Sequence, residues 1–259
     1  MAVSAAPFVV TGGASGIGSA LAQRLRATNH EVLVLDLGRG STLKDLIPTD
    51  LRDATAIVQV LDALPPRIAG IANVAGVPGT RPVADIMAVN FLAVRELSRL
   101  LASRIVAGGA IVCVSSITAH RCTWSDTALD AVIACEWDTL LGHEDVRALD
   151  GKHAYELSKR LLNMWVPLAS AEFAELGVRV CSVSPGPVQT PILEDFETSI
   201  GKDHMHAVAE LVGRHATPGE IAAVIEFLLS RDAAWVNGVD IRADGGLAAM
   251  RLAAGRCVR

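Results

Sequence analysis

The chain is poor in aromatic residues and has no excess of basic ones. Aromatic residues make up 4% of its 259 residues, with a single tyrosine, and 23 basic residues stand against 28 acidic ones for a net charge of −5. Binding of nucleic-acid phosphates normally needs a basic face, so this charge balance argues against nucleic acid as a partner. We therefore predict that the protein does not bind nucleic acid.

The five cysteines lack the spacing of a disulfide framework or a metal site. There is no CxxC pair, and His204 and His206 have no carboxylate or cysteine at ligand spacing. An odd cysteine number in a chain of this size favours a reducing compartment. No apolar run is long enough to span a bilayer, and the first residues lack the pattern of a signal peptide. We expect a cytoplasmic protein with no metal and no membrane partner.

Short apolar segments rich in β-branched residues alternate with longer segments of helical period. The predicted strands are residues 8–11, 31–35, 68–73, 110–115, 178–183 and 238–242, with a shorter one at 46–51. The predicted helices are residues 16–28, 54–63, 87–103, 153–175 and 218–229. Strands that are apolar throughout and alternate with helices are typical of a parallel sheet covered on both faces. The pattern predicts an α/β fold with a doubly wound parallel sheet of about seven strands.

Two segments interrupt this alternation within what we predict to be one domain, residues 1–259. Segments 117–150 and 191–216 are long excursions, which in open α/β folds tend to lie over the carboxyl ends of the strands or at subunit contacts. Segment 117–150 is interpreted as an insertion that either covers the binding pocket or makes a surface excursion. Segment 191–216 is predicted to be a mobile substrate lid. Its inner face would comprise Leu193, Phe196, Ile200 and Met205. The three arginines of residues 251–259 predict a solvated tail.

A glycine-rich segment, TGGASGIG at residues 11–18, joins the first predicted strand to the first predicted helix. Its glycines allow a tight turn and a close approach of the backbone to a pyrophosphate, and a helix N-terminus favours phosphate binding. Asp36 ends the next strand, where a carboxylate accepts hydrogen bonds from ribose hydroxyls and repels a 2′-phosphate. The pattern predicts NAD rather than NADP, although Arg39 lies nearby in the sequence.

Tyr155 and Lys159 lie four residues apart on a predicted helix, so both side chains project from one face. A nearby ammonium favours the phenolate and is expected to lower the pKa of Tyr155. Such a phenol takes a proton from an alcohol or returns one to a ketone oxygen. The pair alone is common by chance, but together with the glycine-rich segment it predicts acid–base chemistry beside a dinucleotide.

The order and spacing of several motifs resemble those of the single-domain short-chain dehydrogenases/reductases. The motifs are TGGASGIG at 11–18, Asp50-Leu51, NVAG at 73–76, Val89-Asn90, VSS at 114–116, YELSK at 155–159, PGPVQTP at 185–191 and DGG at 244–246. The resemblance implies a Rossmann-type fold and a catalytic set of Asn90, Ser116, Tyr155 and Lys159. Ser116 would bind the substrate oxygen, Asn90 would hold a water that links Lys159 to solvent, and Lys159 would also hold the nicotinamide ribose.

The same resemblance implies the residues that hold NAD. They are Gly12, Ala14, Ser15, Gly16, Ile17, Gly18, Asp36, Asp50, Leu51, Asn73, Ala75, Gly76, Tyr155, Lys159, Pro185, Val188 and Thr190. The sequence departs from the family pattern at Val74, which replaces an asparagine, and in the long gap between Ser116 and Tyr155, which lie 39 positions apart. This long gap and the TAH run at 118–120 are similar to those of the bacterial 3α-hydroxysteroid dehydrogenases/carbonyl reductases.

The resemblance implies an NAD-dependent oxidoreductase that interconverts a hydrophobic, cyclic secondary alcohol, such as a 3α-hydroxysteroid, and its ketone. A smaller alicyclic, terpene or aryl alcohol, or a 3-hydroxyacyl thioester, stays open as the substrate. A non-enzymatic NAD-binding sensor or scaffold is the alternative class, but it has no chemical need for all four catalytic residues. Nucleotide-sugar epimerases share the Tyr–Lys spacing but usually carry a longer C-terminal substrate region.

The insertion also bears on assembly. In most relatives the helices near residues 117–150 and 155–175 form a subunit contact, which an inserted segment would block. We therefore expect a homodimer, with a tetramer as the alternative, and we expect the dimer to use the last strand and the helix at 218–229.

Overall fold

The computed structural model describes residues 6–38, 42–200 and 202–257. Side chains at positions 196, 197, 199, 200, 202–206 and 255–257 are outside this description. Arg39 and the side chains of Phe196, Ile200, His204, Met205 and His206 therefore lie outside the described part of the chain.

The described residues form one parallel sheet of seven strands in the order β3-β2-β1-β4-β5-β6-β7. The strands are β1 Phe8–Thr11, β2 Val32–Asp36, β3 Leu46–Pro48, β4 Ile68–Asn73, β5 Ile105–Val114, β6 Arg179–Pro185 and β7 Asp240–Ala243. The strand order changes direction between β1 and β4, where Thr11 pairs in register with Asn73. This is the doubly wound parallel sheet that the sequence predicts, and ligands bind such sheets at the change of direction.

Twelve α-helices are present in the described residues. They are α1 Gly16–Ala27, α2 Ala54–Gln59, α3 Val83–Met87, α4 Ala93–Ala102, α5 Asp126–Ile133, α6 Trp137–Gly142, α7 Glu144–Arg147, α8 Gly151–Glu172, α9 Leu193–Ile200, α10 Lys202–Val212, α11 Pro218–Leu229 and α12 Leu247–Cys257. Buried side chains form one core on each face of the sheet. One core includes residues of α4 and α8, and the other includes residues of α1 and α11. Within the described residues, no helix has the length and apolarity needed to cross a membrane.

Several predicted elements differ from the structure, among them β5, which begins at Ile105 and not at residue 110. The helix predicted at 87–103 starts earlier, as α3, and a π-helical turn at Ala88–Leu92 separates it from α4. The lid segment 191–216 contains two helices, α9 and α10. The tail predicted from residue 251 is exposed at residues 251–254, as expected, but it is helical, because α12 extends to Cys257, and Arg251 also lies in the wall of a large cleft.

The inserted segment 117–150 packs on the α4 and α8 face of the sheet. Leu129, Val132 and Leu140 of α5 and α6 are buried in the core of that face. Arg95 of α4 is 1% exposed, and its Nη1 donates to the Ile133 carbonyl at 2.9 Å. Apart from its first residues, which enter the cleft, the insertion therefore covers helices rather than the binding pocket.

Candidate active site

A cleft of about 650 Å³ runs along the carboxyl ends of the central strands. Its wall includes residues of the glycine-rich segment, the end of β2, the segment after β4, the end of β5, and α8. Residues of the lid and of α12 complete the opposite side. Parallel strands bring their carboxyl ends to one edge, so sequence-distant motifs meet there.

The turn after β1 is held tightly against the end of β4. Thr11 Oγ1 accepts hydrogen bonds from the backbone N–H groups of Val74 and Ala75 at 3.0 and 3.1 Å. Gly12 has φ = 69°, and a Cβ at this position would lie 2.8 Å from Ala75 Cα. Only glycine fits a left-handed conformation with so close a backbone neighbour. At Gly12 the turn therefore presents main-chain atoms, without a side chain, to the cleft.

This turn and the start of α1 fit the pyrophosphate and ribose of a dinucleotide. Ser15 caps α1 in an extended conformation, and Gly16, Ile17 and Gly18 line the cleft, so the positive end of the helix dipole meets the space that a phosphate would occupy. Asp36 Oδ2 accepts a hydrogen bond from the Ala14 N–H at 3.1 Å, which fixes the carboxylate beside the turn. A cradle of main-chain atoms with a carboxylate at its rim matches the diphosphate and ribose chemistry of a nicotinamide dinucleotide.

Ser116, Tyr155 and Lys159 meet at the end of β5. Ser116 makes a side-chain hydrogen bond with Tyr155. Lys159 Nζ donates to the Val114 carbonyl at 2.8 Å and lies 5.7 Å from the centroid of the Tyr155 ring. Ser115 Oγ donates to the Lys159 carbonyl at 3.2 Å. These bonds between α8 and β5 hold the phenol and the serine hydroxyl in one wall of the cleft.

Burial shifts both titrating groups away from their charged forms. Burial raises the pKa of Tyr155 to about 12, and the hydrogen bond from Ser116 offsets part of this rise. Burial lowers the pKa of Lys159 to about 8. The sequence-based expectation that Lys159 lowers the pKa of Tyr155 is therefore not met in the protein alone, because desolvation is the largest influence on both groups.

Asn90 lies in the π-helical turn, fully buried behind the cleft wall. Its Oδ1 accepts from the Val77 N–H at 2.8 Å, and its Nδ2 donates to the Val77 carbonyl at 3.0 Å. A Cβ on Gly76 would lie 3.3 Å from Asn90 Oδ1 and 3.7 Å from Lys159 Nζ. The amide of Asn90 and the ammonium of Lys159 thus approach the same side of Gly76.

Most of the predicted site residues lie together in the cleft wall. They are Gly12, Ser15, Gly16, Ile17, Gly18, Asp36, Asp50, Leu51, Ala75, Gly76, Ser116, Tyr155, Lys159, Pro185, Val188 and Thr190. Ala14, Asn73 and Asn90 are outside that wall. Asn73 is 2% exposed and donates from Nδ2 to Ser98 Oγ at 3.1 Å, so its side chain holds β4 to α4 instead of facing the cleft.

Sequence reasoning missed several residues of the wall. They are Val77, Arg81, Thr118, Arg121, Ile192, Asp195, Val208, Leu247 and Arg251. Thr118 carried a local signal, because it lies two residues after the predicted serine in the first turn of a 3₁₀ helix that Ser116 caps. The others come from loops and helices whose positions depend on packing of the whole chain.

The sheet, the phosphate cradle and the Ser–Tyr–Lys group define a nicotinamide-dependent oxidoreductase that acts on a small molecule. Residues 7–125 match the family model described as short chain dehydrogenase, and residues 140–248 match the model described as Enoyl-(Acyl carrier protein) reductase. The chain belongs to the short-chain dehydrogenase/reductase family, as its motifs indicate.

Individual relatives are similar over nearly their full length. Coniferyl-alcohol dehydrogenase of Pseudomonas sp. (strain HR199 / DSM 7063) is 34% identical over 93% of this chain and 96% of its own. The 3-alpha-hydroxysteroid dehydrogenase/carbonyl reductase of Comamonas testosteroni is 29% identical over 94% and 96%. The crystal structure of the 3-alpha-hydroxysteroid dehydrogenase from Pseudomonas sp. B-0831, complexed with NADH, superposes with a TM-score of 0.83 at 31% identity, covering 96% of this chain and 99% of that one.

Proposed function

We propose that this protein is an NAD-dependent dehydrogenase/reductase that interconverts a hydrophobic cyclic secondary alcohol, such as a 3α-hydroxysteroid, and its ketone. The observation that carries the proposal is the hydrogen-bonded pair of Ser116 and Tyr155, with Lys159 nearby, at the end of β5. One group can hold the substrate oxygen while the other exchanges its proton, which is the acid–base chemistry that this reaction requires.

The chain's own residues perform the proton half of the reaction. The deprotonated oxygen of Tyr155 takes the hydroxyl proton of the alcohol as the carbon–oxygen double bond forms, and Ser116 donates a hydrogen bond to the same substrate oxygen. Bound NAD⁺ would supply the acceptor for the hydrogen that leaves carbon with its electron pair. Residues at the ends of β1, β4 and β6 would orient it.

Preference for NAD is supported by the carboxylate of Asp36. A fixed negative charge at the end of β2 accepts bonds from ribose hydroxyls and repels a 2′-phosphate. To test it, kcat/KM is measured with NAD⁺ and NADP⁺ for the wild-type protein and for Asp36→Ala. We expect a strong preference for NAD⁺ that narrows in the variant; equal wild-type values would refute the assignment.

An apolar substrate is supported by the apolar part of the cleft wall. Val77, Ile117, Ile192, Val208 and Leu247 line it from four different parts of the chain. Apolar walls with a few placed polar groups are typical of sites for hydrophobic small molecules. The solved structure named as a 3α-hydroxysteroid dehydrogenase supports a steroid as the first candidate.

An aryl alcohol is the second candidate. The observation in its favour is the 34% identity to a protein named as a coniferyl-alcohol dehydrogenase. A panel of steroid, alicyclic, terpene and aryl alcohols, assayed by NADH formation at alkaline pH, separates the two. Tyr155→Phe should abolish turnover of the best substrate and keep NADH binding, since it removes only the exchanging oxygen. Turnover near the wild-type level in that variant would refute the acid–base role.

We also propose a homodimer that uses the α11 and β7 side of the molecule. The face of α4 and α8 is covered by α5 and α6. By contrast, Trp235, between α11 and β7, is 100% exposed, and Phe227 and Val239, which precede and follow it in sequence, are exposed too. Light scattering should give twice the chain mass, falling to one chain mass in Trp235→Asp. A tetramer, or a dimer unaffected by this change, would contradict the assignment.

A further inference from the structure

Thr118 occupies both acceptor positions of the Ser116 hydroxyl. Its backbone N–H lies 3.2 Å from Ser116 Oγ, and its own hydroxyl donates to the same oxygen at 2.9 Å. A serine hydroxyl has one proton to donate and two lone pairs to accept with. With Thr118 on both lone pairs, Ser116 has only its proton left to offer.

That remaining proton has a partner within reach, because Ser116 is hydrogen-bonded to Tyr155. Once Tyr155 has lost its own proton, its oxygen only accepts. The hydrogen bonds then run in one direction: Thr118 donates to Ser116, and Ser116 donates to Tyr155. Hydrogen bonds in such a chain strengthen one another in a low-dielectric site.

Thr118 is well placed for this effect. It is 9% exposed, as is Ser116, and both residues line the cleft. The 3₁₀ helix Ile117–Arg121 begins the inserted segment, and its cap by Ser116 places Thr118 beside that serine. A buried hydroxyl without a partner is costly, so the Thr118–Ser116 bond is expected to persist through turnover.

We propose that Thr118 is a positioning residue whose hydroxyl fixes Ser116 as a hydrogen-bond donor, to the Tyr155 oxygen before the substrate binds and to the substrate oxygen afterwards. This inference rests on the proposed function, because it assigns a role within the same acid–base site. The competing explanation is that Thr118 only caps the 3₁₀ helix, for which its backbone N–H suffices.

Two substitutions separate the hydroxyl from the backbone contact. Thr118→Val keeps the side-chain shape and the N–H bond to Ser116 but removes the hydroxyl, whereas Thr118→Ser keeps the hydroxyl. We expect Thr118→Val to lower kcat about fivefold, the effect of one neutral hydrogen bond. The acid limb of the pH profile of kcat/KM for alcohol oxidation should move up by about half a pH unit, because the phenolate of Tyr155 is less well stabilised by the hydrogen bond from Ser116. KM and the NADH dissociation constant should stay within about twofold, and Thr118→Ser should restore kcat and the pH profile.

Equal kcat and equal pH profiles for Thr118→Val and Thr118→Ser would overturn the proposal. If Thr118→Val does not fold, Thr118→Ala takes its place and must show the same upward shift of the acid limb; an unshifted limb overturns the proposal. Tyr155→Phe is assayed in parallel. If Tyr155→Phe is inactive and Thr118→Val behaves like the wild-type protein, only the role of Thr118 is refuted. If Tyr155→Phe is active, the proposed function itself is refuted.

Discussion

Gly151, the first residue of α8, lies against the backbone of Gly79 in the segment that follows β4. A Cβ added at Gly151 would lie well inside van der Waals contact with the Gly79 carbonyl oxygen and 3.0 Å from its carbonyl carbon. Carbon atoms pack best at about 3.5–4.0 Å, so Gly151→Ala must open the carbon–carbon contact by roughly 0.5–1 Å and the contact with the carbonyl oxygen by more. Neither residue can relieve the contact by rotating a side chain, because the contact is with backbone atoms.

The displacement would reach Tyr155, the proposed acid–base residue. Tyr155 lies about one helical turn beyond Gly151, and α8 moves as a rigid element over such a distance. A shift of about 1 Å at a reacting group can lower the rate about 100-fold. We expect kcat/KM for Gly151→Ala to fall about tenfold or more, and the free energy of unfolding to fall by about 1–3 kcal/mol from overpacking.

The assay is steady-state oxidation of the best alcohol in the panel, with NADH affinity and urea unfolding measured on the same samples. Gly142→Ala is the matched control, since Gly142 ends α6 in the inserted segment shortly before α8 and an added Cβ there meets nothing within 4 Å. A Gly151→Ala enzyme with kcat/KM within about twofold of wild type would refute the reasoning that α8 is positioned through this contact.

Three further changes probe other contacts. Thr80 Oγ1 donates to Asp195 of the lid at 3.1 Å, so Thr80→Val should speed NADH release about two- to fivefold in stopped-flow fluorescence, and an unchanged release rate would contradict a closing role for the lid. Burial lowers the pKa of Lys159 from 10.5 to about 8, so the unfolded chain binds more protons between these values and stability rises with pH there. Lys159→Met should therefore be more stable than wild type at about pH 7 in urea unfolding, with an advantage that shrinks up to pH 10.5; a constant difference would count against this pKa. Arg95→Met leaves the buried Ile133 carbonyl without its donor and should cost about 1–3 kcal/mol of unfolding free energy, so unchanged stability would show that the insertion is not anchored there.

Much of the fold follows from local patterns. The strand at Phe8–Thr11, the helix at Pro218–Leu229 and the strand at Ile68–Asn73 have the predicted bounds. Periodicity predicts these elements because each buries a regular set of apolar side chains. The break in the helix predicted at 87–103 escaped this reasoning, since a π-helical turn keeps the apolar pattern while adding one residue to the turn.

The sequence by itself determined the sheet class, the glycine-rich turn and the pairing of Tyr155 and Lys159 on one helix face, because each is a short motif whose geometry is local or repeats along a strand or helix. Ser116 joined them only through the resemblance to a family. Only the tertiary structure decided that Asn73 turns from the cleft to Ser98, that Arg251 reaches the cleft wall, and that α5 and α6 cover a helical face. It also decided the pKa shifts of Tyr155 and Lys159, which depend on how deeply the completed fold buries each group. Distances between residues far apart in sequence, and the dielectric around them, result from the packing of the whole chain, which no local pattern encodes.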